Sequence, residues 1–288
     1  MAALEVSGSI EGIGLMRALT LEYHDVIEGD DWNASGFPGR AAASYKISAD
    51  DFSAHLRAMR QVSEDRRLLA GTSFPAPGDG DAVPVLLTFD DGGASACPRT
   101  ADLLETQGWR GHFFIATDRI GTPGFVDAAG LRDLHRRGHV VGSHSCSHPL
   151  RMSGCSTEQL DREWLESRDR LANLLGSAIV TASVPGGGYS RRVGESAAAA
   201  GYRCLFTSEP VMRVATTDDC LVMGRFTLRR DSTAALVHEF VRGASWPRHR
   251  QWVTWNVRKA LKAGGGSAYL AARNRLFGDR HDPDSGPA

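Results

Sequence analysis

From Leu15 to Leu228 the chain alternates short apolar runs with longer stretches of helical spacing, and this restricts the fold more than any other feature. Runs at Leu15–His24, Val85–Phe89, Gly111–Thr117, His139–Ser143, Ile179–Val184, Arg203–Thr207 and Leu221–Leu228 have the length and composition of strands. Between them, Phe52, His55, Leu56, Met59 and Val62 recur at helical spacing behind a cap at Ser48. Further helices are predicted over 98–107, Val126–Arg137, Glu158–Leu175, 190–200, 232–242, 250–262 and 267–276. Such alternation predicts a parallel sheet or barrel sheathed by helices. Folds of this class do their chemistry at the carboxyl ends of strands. The polar insertions fall just there: Tyr23-His24-Asp25, Asp90-Asp91-Gly92-Gly93, His144 to His148, and Pro185 to Gly188.

With 288 residues, 42% hydrophobic and 23% charged, the chain can bury a large core, and no repeat or linker divides it. Its 33 basic and 34 acidic residues give a net charge of -1. That balance argues against nucleic-acid binding, which needs a basic face, and gives no sign of a membrane-surface protein. The five cysteines are odd in number and lack C-x-x-C spacing, so reduced thiols are expected in place of a disulfide framework or zinc ribbon. The first twenty residues show no basic segment followed by an apolar leader core, and no run reaches the ~18 apolar residues of a membrane span. A cytoplasmic protein without a membrane span is expected.

Two adjacent carboxylates, Asp90 and Asp91, end the strand Val85–Phe89, and glycines let the chain turn there. Taken alone this is a common turn. Farther on, His144 and His148 stand four apart at another strand end, a spacing that lets two imidazoles meet at one ion. Two imidazoles and one carboxylate suit a divalent metal such as zinc, with positions left for water and substrate. The other carboxylate of the pair is then free to move a proton.

T-F-D-D-G at Thr88–Gly92 and H-S-C-S-H at His144–His148, with F-F-I-A-T between them, resemble the NodB-type polysaccharide deacetylases, carbohydrate esterase family 4. The resemblance implies a distorted (β/α) barrel of fewer than eight strands, with C-terminal helices. It implies removal of an N-acetyl group from an amino sugar. Asp91, His144 and His148 would hold the ion, zinc first and cobalt or nickel as alternatives, and Asp90 would be the base. The late L-x-H motif of the family has a literal match at Leu236-Val237-His238, but that lies inside a predicted helix and is taken as a false match. Tyr23-His24-Asp25 and the Phe52–Leu56 helix resemble instead the circularly permuted branch, which includes poly-β-1,6-N-acetylglucosamine deacetylases. That branch implies His24 as the catalytic acid, with Asp25 orienting it or touching substrate. Pro185–Gly188 resembles the R-x-P-x-G motif, so Gly186 would offer an N–H to the oxyanion. Ser183 stands where the family carries an arginine that pairs with the base, and Arg225 is the expected replacement, grouped with the oxyanion and substrate contacts. Tyr189 is expected to line the sugar site. Cys146 reads as a small filler, Trp246, Trp252 and Trp255 as packing, and the arginines from Arg242 to Arg275 as solvated helix faces.

The expected organisation is a loose start at 1–13, a catalytic domain at 14–230, a helical extension at 231–276 packed on the same domain, and a disordered tail at 277–288. The expected partner is an N-acetylated sugar, with the oligomeric state left open. Two other functions fit the same letters: amide hydrolysis on a small non-sugar substrate, or glycan binding without catalysis after loss of the motif arginine.

Overall fold

The computed structural model describes residues 16–63 and 83–260. The expected loose start at 1–13, the predicted helix at 267–276 and the tail lie outside them. The strands are β1 (Leu19–Tyr23), β2 (Val26–Ile27), β3 (Ile47–Ser48), β4 (Val85–Phe89), β5 (His112–Ile115), β6 (Val140–Ser143), β7 (Thr181–Ser183), β8 (Cys204–Phe206), β9 (Ala215–Thr217), β10 (Cys220–Met223) and β11 (Phe226–Thr227). The helices are α1 (Arg40–Ala43), α2 (Ala49–Ser63), α3 (Arg99–Glu105), α4 (Ala128–Arg136), α5 (Thr157–Leu175), α6 (Arg191–Ala199), α7 (Ala234–Arg242) and α8 (245–260).

The main sheet runs β11-β1-β4-β5-β6-β7-β8-β10-β9, and β2 pairs only with β3. Every pairing is parallel except β9 with β10. The predicted strand Leu221–Leu228 is in fact two strands. β10 lies against β8, while β11 lies against β1 near the other edge of the sheet. The break comes at Gly224-Arg225. A Cβ on Gly224 would stand 2.2 Å from the Glu209 carbonyl oxygen, so only glycine passes there. One segment thus borders both ends of the sheet. Antiparallel bonds between the chain before β1 and the chain before β9 (Ala18 N–H to Met212 O, Val214 N–H to Met16 O, 2.9 and 3.0 Å) curl it further into a barrel.

Period-two alternation divides the apolar residues into two sets. Leu21, Tyr23, Leu87, Phe89, Phe113 and Ile115 face the helices, where they meet Phe52, Leu56, Leu104, Leu131 and Trp164. Ala18, Leu86, Phe114, Cys204, Phe206, Leu221 and Met223 form a second, separate cluster that fills the barrel interior. The same inward columns continue as Thr20-Glu22-His24, Leu86-Thr88-Asp90 and Leu221-Met223-Arg225, taking every second residue. They are apolar low in the barrel and polar at the carboxyl end, so the interior is a dry floor under a polar rim.

Helix ends follow their local chemistry. Ser48 accepts the Asp51 N–H at 3.0 Å at the start of α2, as the sequence predicts. Ser156 and Gln159 form a capping box on α5, which ends at left-handed Gly176. Thr233 caps α7 within the predicted 232–242 helix, which packs its buried Val237, Phe240 and Val241 into the outer core. No helix among the described residues is long and apolar enough to cross a membrane. The tryptophans of α8 correct an expectation: Trp246 and Trp252 are exposed, not packed. Replacing Gly224 with Ala should destabilise the chain by about 1–3 kcal/mol, as overpacking does, with urea unfolding as the measurement and an unchanged midpoint as the contrary result.

Candidate active site

Asp90 and Asp91 are neighbours, and on a straight strand they would point apart. Asp91 instead adopts φ 73°, in the left-handed region that non-glycine residues avoid, and Gly92 follows at φ 77°. This turn brings both carboxylates to one rim. Two more left-handed residues, Ser145 and His148 at φ 64° and 60°, shape the loop after β6. Strain at three such points within one site marks a geometry held by its surroundings.

Those surroundings are visible. Ser143 Oγ bonds Ser167 of α5 at 2.7 Å and accepts the Ser145 N–H at 3.0 Å. Ser145 Oγ accepts the His148 N–H at 3.1 Å. Glu163, on the buried stripe of α5, accepts the N–H groups of Cys146 and Ser147, both at 2.8 Å, and the Ser147 hydroxyl at 2.5 Å. The serines of H-S-C-S-H are fasteners for the two histidines.

Nε2 of His144 and Nε2 of His148 stand 3.4 and 3.3 Å from Asp91 Oδ1. Ligand atoms about 3.3 Å apart are what a tetrahedral zinc with bonds of about 2.0–2.1 Å requires. Three acceptor atoms so close repel unless a cation lies among them. The His144 tautomer fits this use. Its Nδ1 faces Ser183 Oγ at 2.5 Å and Ser183 O at 3.2 Å, and the carbonyl can only accept. Nδ1 therefore carries the proton and Nε2 offers its lone pair toward Asp91.

Asp90 sits beside this triad, its Oδ2 3.8 Å from His144 Nε2. Arg225 grips it with two bonds of 2.7 Å, Nη1 to Oδ1 and Nη2 to Oδ2. The remaining guanidinium protons go to Thr207 O, Thr88 Oγ1 and Glu22 Oε1 at 3.2, 3.3 and 3.0 Å. All five donors are engaged, and Arg225 is fully buried. This corrects its expected grouping with substrate contacts: it has nothing left to offer a substrate and acts on Asp90. Ser183, in the position of the missing motif arginine, donates to Asp90 Oδ1 at 3.2 Å. Burial pushes the Asp90 pKa up, and the charges of Arg225 and His144 override it, holding it at about 2.

His24 lies in a second group: one ligand atom from each of Glu22, His24 and Asp90 falls within 4.8 Å of the others. Its Nδ1 is buried with no hydrogen-bond partner among the described residues, and its ring sits 5.0 Å from Tyr45. Asp25 turns away from His24 and takes Ser35 and Ser95 hydroxyls on Oδ1 at 2.5 and 2.9 Å. It fastens the long 28–45 connection, as does Lys46, whose Nζ donates to the carbonyls of Trp32, Ser35 and Phe37 at 2.7, 2.5 and 2.7 Å. That connection lays Phe37 4.8 Å from the His148 ring.

Gly186, at φ 63°, packs against the Leu150 backbone just after His148; a Cβ there would come 2.6 Å from Leu150 O. Tyr189 is not brought to the site: its hydroxyl pairs with Thr217 at 3.2 Å and its ring joins the outer core. His238 lies on α7 beside Glu239, 3.8 Å away, consistent with a chance L-x-H match. Sequence reasoning missed Glu22 and Glu163. Each leaves a signal, a carboxylate on a position whose period-two or helical neighbours are buried.

A family model described as polysaccharide deacetylase matches residues 78–205. Over these residues the chain is similar to the polysaccharide deacetylases. The match spans Asp90, Asp91, His144, His148 and Ser183, while Glu22, His24 and Arg225 lie outside it. The peptidoglycan-N-acetylglucosamine deacetylase PgdA of Listeria monocytogenes is 32% identical over 113 residues, 38% of this chain and 23% of that protein. The chain spans less than half the length of the curated relatives it matches. Among solved structures, the deacetylase PplD of Streptococcus pyogenes aligns with a TM-score of 0.60 at 17% identity, over 76% of this chain and 96% of that one. IcaB from Ammonifex degensii aligns at 0.61 and 19%, over 79% and 98%. At these identities the likeness is one of fold, and this chain shares the distorted barrel of both.

Two outcomes follow for the Arg225 contact. Arg225→Met should cost about 3–5 kcal/mol in urea unfolding at neutral pH, because it strands two buried carboxylates; a loss under about 1 kcal/mol would contradict the contact's role. Asp90 has its pKa depressed from 3.8 to about 2, so its contribution is full above 3.8 and lost as pH falls through about 2. The stability gap between the parent and Asp90→Asn should narrow over that window, and a constant gap would contradict the pairing.

Proposed function

We propose that this chain is a metal-dependent hydrolase that removes an N-acetyl group from an acetylated amino sugar or glycan. The observation that carries this reading is the meeting of Asp91 Oδ1 with two imidazole Nε2 atoms at 3.3 and 3.4 Å, beside a second, arginine-clamped carboxylate. We assign Asp91, His144 and His148 as ligands of one divalent ion, zinc foremost, with cobalt or nickel as alternatives. When bound, such an ion lowers the pKa of water toward ~7 and polarises an amide carbonyl.

The chain's own residues do the rest. Asp90 Oδ1 accepts from Arg225 and Ser183, which fills it, whereas Oδ2 accepts only from Arg225 Nη2. The free lone pair of Oδ2 lies on the His144 side, placed to take the proton of an attacking water. A pKa near 2 makes Asp90 a weak base, so we assign it as a proton station more than a strong abstractor. His24, within reach of Asp90, would give a proton to the departing amine, and the Gly186 N–H would face the oxyanion. The position of β1 ahead of the family segment, yet paired beside β4, supports the circularly permuted branch.

The test is acetate release across a panel of acetylated amino sugars and short oligosaccharides, with and without chelator. Release from at least one sugar, abolished by chelator and restored by zinc, is expected. Release only from small non-sugar amides would overturn the substrate class, and none from any amide would favour a glycan-binding protein. Asp91→Ala and His144→Ala should lose bound metal and activity together; turnover by either variant in metal-free form would refute the assignment. His24→Ala should keep its metal and lose roughly 10²–10⁴ in rate, the span of general acid–base catalysis. His238→Ala should match the parent, and the reverse pattern would exchange the two histidines.

A further inference from the structure

Helix α8 is amphipathic in the reverse sense of a soluble surface helix. Its inner side is tied down by Arg248, whose Nη1 meets Met212 Sδ, and by Gln251, which donates to Thr227 O at 2.7 Å. At 3.6 residues per turn, Trp246, Val253 and Val257 then fall within about 40° of one another on the opposite side. They are 71%, 40% and 53% exposed. Trp252, 41% exposed, flanks the stripe with His249 stacked on it at 5.9 Å. A helix that served only to cover the barrel would turn such residues inward.

The charge beside the stripe says what fits it. Arg250 and Arg258 are exposed along one border and Lys259 stands over Trp255, 4.6 Å from its ring. Between Ala244 and Gly278 the sequence has seven Arg or Lys and no Asp or Glu, in a chain whose net charge is -1. Residues 261–278, which follow α8, carry Lys262, Arg273 and Arg275 and no acid, so they do not complement these borders, and neither does a second copy of the same helix. An exposed tryptophan and valine stripe bordered by cations matches the interface of an anionic bilayer, where indole rings sit at headgroup level and Lys or Arg meet lipid phosphates.

We propose that α8 docks the protein on an anionic lipid surface, the stripe Trp246-Val253-Val257 entering the interface and Arg250 and Arg258 meeting headgroups. Gln251 anchors α8 at the carboxyl end of β11, where Thr227 lies in register with Glu22. The far side of α8 from the stripe therefore lies beside the polar rim of the barrel. The inference stands on α8 alone and does not depend on the proposed deacetylation.

The test is co-sedimentation of the full 288-residue chain with vesicles of phosphatidylcholine alone, or with phosphatidylglycerol added, alongside tryptophan emission. Binding is expected only to the anionic vesicles, with a blue shift, and should weaken as salt rises. The triple variant W246S/V253S/V257S and, separately, R250E/R258E should each lower vesicle affinity by roughly tenfold or more while thermal unfolding stays unchanged. Absence of vesicle binding, or binding indifferent to both variants, would overturn the proposal. So would a parent dimer on gel filtration that W246S/V253S/V257S converts to monomer, which would make a second copy the occupant. Retention on a soluble anionic polysaccharide without vesicle binding, lost in R250E/R258E alone, would also overturn it in favour of a glycan.

Discussion

Four carboxylates, Glu22, Asp25, Asp90 and Asp91, are buried at one end of this barrel, each under 9% exposed. So many like charges out of water must be compensated, and the manner of compensation explains the rest of the site. Arg225 answers two of them, Glu22 and Asp90, and spends its whole guanidinium doing so. Burial raises the Asp25 pKa, the Ser35 and Ser95 hydroxyls lower it, and Lys46 acts on it from nearby. Asp91 is left with two imidazoles, and their lone pairs compensate nothing. A cation among these three atoms would compensate them, as the proposed function requires.

The neighbouring carboxylates differ because their partners differ: one is clamped by arginine, the other faces two histidines. The arginine comes from the interrupted β10–β11 segment and not from the strand that usually supplies it in the resembling family. The serine left in the usual place links Asp90 to His144 through one hydroxyl. The proton position on His144 and the orientation of Asp90 are thereby coupled. The break at Gly224 that makes this possible also joins the two ends of the sheet, so closure of the barrel and positioning of Asp90 share one origin.

Much of this was legible in the sequence. The alternation of strands and helices, the two carboxylates at a strand end and the spaced histidines led to the fold class and to the residues that converge. Arg225 could be named, but its contacts could not, because Leu221–Leu228 reads as one uninterrupted strand and only the close approach of Glu209 to Gly224 reveals the break. Glu163 was hidden for a related reason: the stripe Leu160, Trp164, Leu171 reads as apolar, and a carboxylate within it gains meaning only when the loop it fastens is seen. Tyr189 looked available because it follows three glycines, yet the core claims it. Trp246 and Trp252 were read as packing because indoles usually are buried; which face of α8 is tied down depends on Arg248 and Gln251, contacts no periodicity encodes.

The most direct measurement of the central claim is X-ray absorption at the zinc edge on the chain loaded with one equivalent of zinc. The expected spectrum has only nitrogen and oxygen neighbours at about 2.0–2.1 Å, with the multiple scattering of two imidazoles, and one imidazole is lost in His148→Ala. A sulfur neighbour near 2.3 Å, which would implicate Cys146, or a shell of oxygens without imidazole scattering, would contradict it.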